Sequence, residues 1–348
     1  MKRVPEVKDN MRNHKKGFTI IEVLMFLAIT ALLVSGMFIG TGANLARERY
    51  NDGVAGIEEF LAHQFMLVQN PERPVNNVNA TNDLACVART TGGTALPMSS
   101  VNTSNIHTIG HIGVIPAVNL PPNATAEHRG RSDCLIYGRI IEFFTVNGEQ
   151  HITATPIVGR DLEAFAIANN DVDFRANLLQ WTDLELLEQT RIGRADDTRN
   201  CFVDGHFQSE LCPNTAHFVP NWGTTLAGFT RTPGTGDDVQ YRDNIQDPAQ
   251  GAILILRMPV SGSIRTFITT GGDSRNSQDL GVPGSPFIDL ANSTQSRFFC
   301  VIPDGSGIWT PTLRVIRVQQ NVGNITAVTT LPTDFTADDE GVLIQCRQ

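Results

Sequence analysis

"HKKGFTIIEVLMFLAITALLVSGMFIG", His14 to Gly40, places two lysines and a glycine before a run apolar enough to cross a bilayer. From Phe18 to Ile39 the run holds a single charged residue, Glu22, and no proline. As a helix, at about 1.5 Å per residue, it reaches about 30 Å, the thickness of the hydrocarbon core. Lysines on the near flank keep that end cytoplasmic and predict export of the chain beyond the run. The lone carboxylate poses a problem. A charge at the centre of a membrane helix costs roughly 2.5–3.5 kcal/mol on insertion scales, so an acid there calls for a partner. No cation stands near it within the helix.

Charge is unevenly spread. Residues 1–17 carry six Lys and Arg against two acidic residues, a net of +4, which leaves −13 for the rest of a chain whose total is −9. So acidic a body is a poor match for phosphate backbones, and no nucleic-acid partner is expected. Six cysteines, Cys86, Cys134, Cys201, Cys212, Cys300 and Cys346, all lie beyond the apolar run. An even count on the exported side suits an oxidising compartment and disulfides. An ordinary secretory signal, cut at small residues near Ala43, is the rival reading of the N-terminus and would deliver a secreted enzyme.

Lys15, Lys16, Gly17, Phe18, Thr19 and Glu22, followed at once by the apolar run, resemble the class III signal of type IV pilins and pseudopilins. The resemblance implies cleavage of a basic leader, residues 1–17, by the prepilin peptidase, a membrane aspartyl protease acting between Gly17 and Phe18. It further implies N-methylation of Phe18, with Glu22 at mature position five. In that family the glutamate of one subunit pairs with the new amine of a neighbour. Opposite charges within about 4 Å in a low dielectric attract strongly and offset each other's burial. The implied partners are other pilin or pseudopilin subunits, the peptidase, the inner-membrane assembly platform and membrane lipid, with no cofactor. The implied role is that of a minor subunit in a type IV pilus or type II secretion-like filament. The alternative is a membrane-anchored, adhesin-like binding module that does not polymerise. Two departures stand out. The leader is long, and Ile39 flanked by Gly36, Gly40 and Gly42 replaces the proline many members carry.

Past the membrane run the pattern becomes one-sided. Ala46, Tyr50, Val54, Ile57, Leu61, Phe65 and Val68 recur at steps of three and four, the stripe of an amphipathic helix. Arg47, Glu48, Arg49, Asp52, Glu58, Glu59 and Gln64 read as the opposite face, and Pro71 ends the helix. The fold class expected is α+β. One helix over 18–70, transmembrane over about 18–40, carries an antiparallel β-rich domain over 71–348, with two possible subdomains split near 190–250. The resemblance implies the same plan.

From Pro71 to about Pro122 the chain reads as a meander with one strand, "LACVART" (84–90). "CLIYGRIIEFFTV" and "HITATPIVG" flank Asn147-Gly148, the turn chemistry of a hairpin. Leu178, Leu179, Trp181, Leu184, Leu186 and Leu187 read as core. "GAILILRMPV", "SIRTFITT", "RFFCVI", "TLRVIRVQQ", "NITAVTT" and "GVLIQC" complete the strands.

Few groupings carry chemistry. Cys201, His206, Cys212 and His217 form C-x4-H-x5-C-x4-H, a weak zinc candidate whose interleaved spacing departs from known fingers. A Cys201–Cys212 disulfide is simpler. Cys86–Cys134 and Cys300–Cys346 are the other expected bridges, the latter a device pilins also use. Asp237, Asp238, Asp243 and Asp247, like Asp334, Asp338, Asp339 and Glu340, lack the order of an EF-hand loop and read as solvated acids. His107 and His111 read as loop or strand histidines. No phosphate loop and no nucleophile elbow occurs, so no enzyme is expected.

Overall fold

Helix α1 runs from Ile20 to Gln69, uninterrupted because no proline occurs between its first residue and Pro71. The computed structural model describes residues 19–69, 84–102, 104–105, 108–116, 119, 134–168, 172–178, 180, 182–196, 200–229, 251–270, 297–303, 314–318, 321–322, 328–332, 336–337 and 342–343. The chain forms two compact units, Met1–Glu48 and Arg49–Gln348. In the first, the large apolar side chains of α1 stand exposed, Phe26 at 69% and Leu32 at 76%. In the second, α1 turns one face inward.

The strands, in chain order, are β1 (Leu84–Thr90), β2 (Ala95–Pro97), β3 (Ile109–Pro116), β4 (Cys134–Val146), β5 (Glu149–Arg160), β6 (Gly193–Arg194), β7 (Phe202–Val203), β8 (His206–Phe207), β9 (Ala216–Phe218), β10 (Thr225–Phe229), β11 (Gly251–Arg257), β12 (Ile264–Thr270), β13 (Arg297–Ile302), β14 (Arg314–Val318), β15 (Asn321–Val322), β16 (Val328–Pro332), β17 (Thr336–Ala337) and β18 (Val342–Leu343). Short helices α2 (Leu162–Ala168), α3 (Val172–Leu178) and α4 (Asp183–Thr190) come after β5.

Seven strands make the main sheet, in the order β15-β12-β11-β4-β5-β6 with β9 also on β5. A second sheet runs β10-β13-β14-β16 and a third β2-β1-β3. Their pairings are antiparallel. Hairpin β4–β5 closes through Asn147 and Gly148, both at positive φ (54° and 86°), the backbone that Asn-Gly favours. At Gly138, where the β4–β5 register shifts, β11 approaches so closely that a Cβ would collide with the Ile255 carbonyl.

The predicted stripe of α1 is buried from Tyr50 to Val68, and Ala46 is exposed. Those six residues share one core with Ile141, Phe143, Ile253 and Ile255 of the main sheet and Phe299, Val301 and Ile316 of the second. One helical stripe therefore fastens both sheets. At about 25 cal/mol per Å² of apolar area removed from water, each such side chain contributes roughly 1.5–3 kcal/mol.

Several expectations change. Gln64, assigned to the polar face, is 1% exposed, because Arg139 of β4 reaches across and donates to its Oε1 at 3.0 Å. The stretch 71–122 is more than a meander, since β1 is the centre of a sheet between β2 and β3. Strand β3 buries Ile109, Ile112 and Ile115, a spacing of three that hides the two-residue alternation of a strand. The polar segment 190–250 does not separate successive subdomains. Strand β11, beyond it, pairs with β4, before it, from Gly251↔Phe143 to Leu256↔Gly138. Leu186 and Leu187 are buried as expected and Leu178 is half-buried. Leu179, Trp181 and the side chain of Leu184 lie outside the described residues.

Candidate functional site

The site begins at the N-terminus of α1. Thr19 precedes the first helical residue, and its N–H and hydroxyl both donate to Glu22 Oε2, at 3.0 and 3.1 Å. In return the Glu22 N–H donates to Thr19 Oγ1 at 3.3 Å. This reciprocal closure is a capping box, which satisfies N–H groups that a helix otherwise leaves unpaired at its N-terminus. The Thr-x-x-Glu spacing in Thr19-Ile20-Ile21-Glu22 is its sequence signature, overlooked when the carboxylate is considered only as half of an ion pair. Gly17 and Phe18, the residues of the implied cut, lie outside the described residues.

Further along α1 the hydroxyls close on the helix itself. Thr30 Oγ1 donates to the Phe26 carbonyl, Ser35 Oγ to that of Ala31 at 2.7 Å, and Thr41 Oγ1 to that of Met37 at 2.9 Å. Between Ile20 and Thr41 these are all the hydroxyl-bearing side chains. A surface with its hydroxyls turned inward and its apolar groups outward suits hydrocarbon, where an unmatched polar group costs several kcal/mol. Glu22 is the one ionisable side chain left among Ile20–Thr41. The helix is long and apolar enough to span a bilayer, with a mean hydropathy of 2.4 in its most apolar window.

The zinc candidate resolves differently. Cys201 and Cys212 are joined to each other in a disulfide, with Cα atoms 5.5 Å apart, which removes both sulfur ligands. His206 is exposed on β8. His217 of β9 instead meets His151 of β5, Nε2 to Nδ1, at 2.9 Å. Phe207 stacks on His217 with centroids 4.4 Å apart, Phe144 stacks on His151, and Phe202 stands edge-on to both histidines. Burial and the neighbouring His151 push the His217 pKa down to about 4. Burial, opposed by Glu149 and assisted by His206, also holds His151 below its ordinary value. Two neutral imidazoles sharing one hydrogen bond thus seat the disulfide-closed loop on the main sheet.

Cys86 and Cys134 are also bridged, Cα atoms 6.1 Å apart, tying β1 to the start of β4. Cys300 is disulfide-bonded; its expected partner Cys346 lies outside the described residues, as do His107 and both acidic clusters (Asp237, Asp238, Asp243, Asp247; Asp334, Asp338, Asp339, Glu340). His111 sits on β3 opposite Arg89. No curated protein and no solved structure matches this chain. Residues 12–38, ending within the first unit of α1, match the prokaryotic N-terminal methylation motif, and the chain thereby carries the signal of type IV pilins and pseudopilins on a membrane-anchoring helix.

Proposed function

We propose that the chain is a minor pilin or pseudopilin, a structural subunit of a type IV pilus or type II secretion-like filament and not an enzyme. Prepilin peptidase removes the leader after Gly17, Phe18 is N-methylated, and the N-terminus stays cytoplasmic while the body is exported. The disulfides Cys86–Cys134 and Cys201–Cys212 support an oxidising location for that body. The assembly platform then withdraws α1 from lipid into a bundle of neighbouring copies. There Leu24, Phe26, Leu27, Leu32 and Leu33 exchange lipid contacts for helix contacts, and Glu22 meets a neighbour's amine.

The observation that carries this reading is the chemistry of α1 up to Thr41. Its hydroxyls are closed on the helix, its apolar side chains are exposed, and one carboxylate at the first turn remains able to face a second subunit. The test is the intact mass of chain extracted from membranes of a prokaryotic host bearing the peptidase. The expected chain begins at Phe18 and is one methyl group heavier than its sequence. A chain cut near Ala43, or left whole, sinks the proposal.

A second reading, an anchored binding module, has one feature in its favour. A cavity of about 730 Å³ is lined by Leu135, Tyr137, Leu162, Leu186, Arg257 and Met258, mostly apolar with a few polar groups, as small-molecule sites are. Absence of the chain from sheared filaments favours that reading.

A further inference from the structure

Arg160, the last residue of β5, is 2% exposed, and among the described residues no carboxylate forms an ion pair with it. Its guanidinium lies over the Phe165 ring of α2, 3.9 Å from the centroid, and its Nη2 donates to the Gln189 carbonyl of α4 at 2.7 Å. Its Nε–H is buried and meets no acceptor. The side chain beside it is a second arginine. Strands β5 and β6 pair Val158 with Gly193, and Ile192 packs against Gly159. Carried on by one more residue, that register sets Arg160 opposite Arg191. Arg191 is half-buried, and its Nε–H too is shut off from water without an acceptor. It holds φ 52°, a left-handed conformation that a residue with a Cβ adopts at a cost. The Ile112 N–H fixes it there, donating to its carbonyl at 2.7 Å. Arg194, three positions on, is the contrast: its buried side chain is paired with Glu142 at 2.8 Å.

We propose that Arg160 and Arg191 form a binding site for one small tetrahedral oxyanion of the phosphate type. A charge taken out of water persists where an opposite charge or a full set of hydrogen bonds offsets the loss. Two guanidiniums side by side with no acid between them do the reverse. Burial and the neighbouring Arg191 lower the Arg160 pKa to about 10, which leaves it charged at neutral pH. A guanidinium presents its Nε–H and an Nη–H as a fork that fits two oxygens of an oxyanion. A carboxylate, with two oxygens, fills one fork; a phosphate has enough for both. The body as a whole is acidic, so its overall field repels anions and the affinity comes from these two side chains. Arg191, the less buried of the pair, is the side of approach. Once bound, the anion ties the end of β5 to the turn that follows α4.

The test titrates inorganic phosphate into the full chain in neutral detergent, at constant ionic strength held with chloride. A single phosphate is expected to bind each chain. Arg191→Gln and Arg160→Met are each expected to weaken it about ten-fold or more, the loss of a charged hydrogen-bonding group. Arg191→Lys keeps the charge without the fork and is expected to weaken it as well. No binding, or unchanged affinity in either Arg191→Gln or Arg160→Met, overturns the site. Melting temperature supplies a second readout. Without phosphate, Arg191→Gln is expected to melt at or above the wild type, since it relieves the repulsion between the two cations. With phosphate in excess, the wild type gains and the variant does not. A variant that melts below the wild type in phosphate-free buffer shows that Arg191 is satisfied within the fold, which refutes the assignment. Should Arg160→Met misfold, Arg191→Gln decides alone.

Discussion

The Tyr50 hydroxyl donates to the Val301 carbonyl at 2.9 Å across 251 positions of sequence, and the same oxygen accepts the Arg314 N–H at 2.8 Å. Val301 and Arg314 are register partners on β13 and β14. One phenol on α1 thus bridges the last register pair of two inner strands of the second sheet, and burial raises its pKa to about 12. Tyr50→Phe keeps the ring packing and strands a buried carbonyl. The expected loss is about 1–3 kcal/mol, read from urea unfolding of the body, and an unchanged midpoint refutes the role assigned to the hydroxyl.

Gly53 is the second place where α1 meets an unyielding neighbour. Gly53→Ala drives a methyl group into the β-branched Thr224 side chain and towards the Asn221 carbonyl. Overpacking of this kind costs about 1–3 kcal/mol, more than the helix propensity that alanine restores. Gly53→Ala paired with Thr224→Ser should recover some of the loss. A single variant at least as stable as wild type shows that the turn can shift.

The His151–His217 pair sets a pH dependence of defined sign. Its members have folded-state pKa values below the unfolded value of about 6.5, so the unfolded chain takes up protons first. Stability is full above that value and falls as pH drops through it towards about 4, where His217 itself protonates in the folded state. His206 and Glu149 also face the pair. Melting temperature measured against pH should fall less steeply for His217→Gln than for wild type. Identical slopes mean that the histidines do not govern how the loop is seated.

Glu22 caps α1, and one pair of variants separates that role from the assembly role proposed for it. Glu22→Gln retains an acceptor for the Thr19 N–H and hydroxyl, whereas Glu22→Ala loses both cap and charge. If the proposed assembly holds, both variants are processed at Gly17 and are missing from sheared filaments, because neither offers a carboxylate to a neighbour's amine. Incorporation of Glu22→Gln at wild-type levels assigns the residue to the cap alone.

Local pattern alone determined the apolar run, the stripe from Tyr50 to Val68, the β4–β5 hairpin with its Asn147-Gly148 turn, and the methylation signal around Gly17 and Phe18. Each depends on residues close together in the chain, where helix and strand repeats are legible. Only the tertiary structure decided that β11 lies beside β4, that Gln64 is buried against Arg139, and that His217 meets His151. These are encounters between residues 66 or more positions apart. Whether a polar side chain faces water or a partner is set by what packs over it, which no sequence window contains.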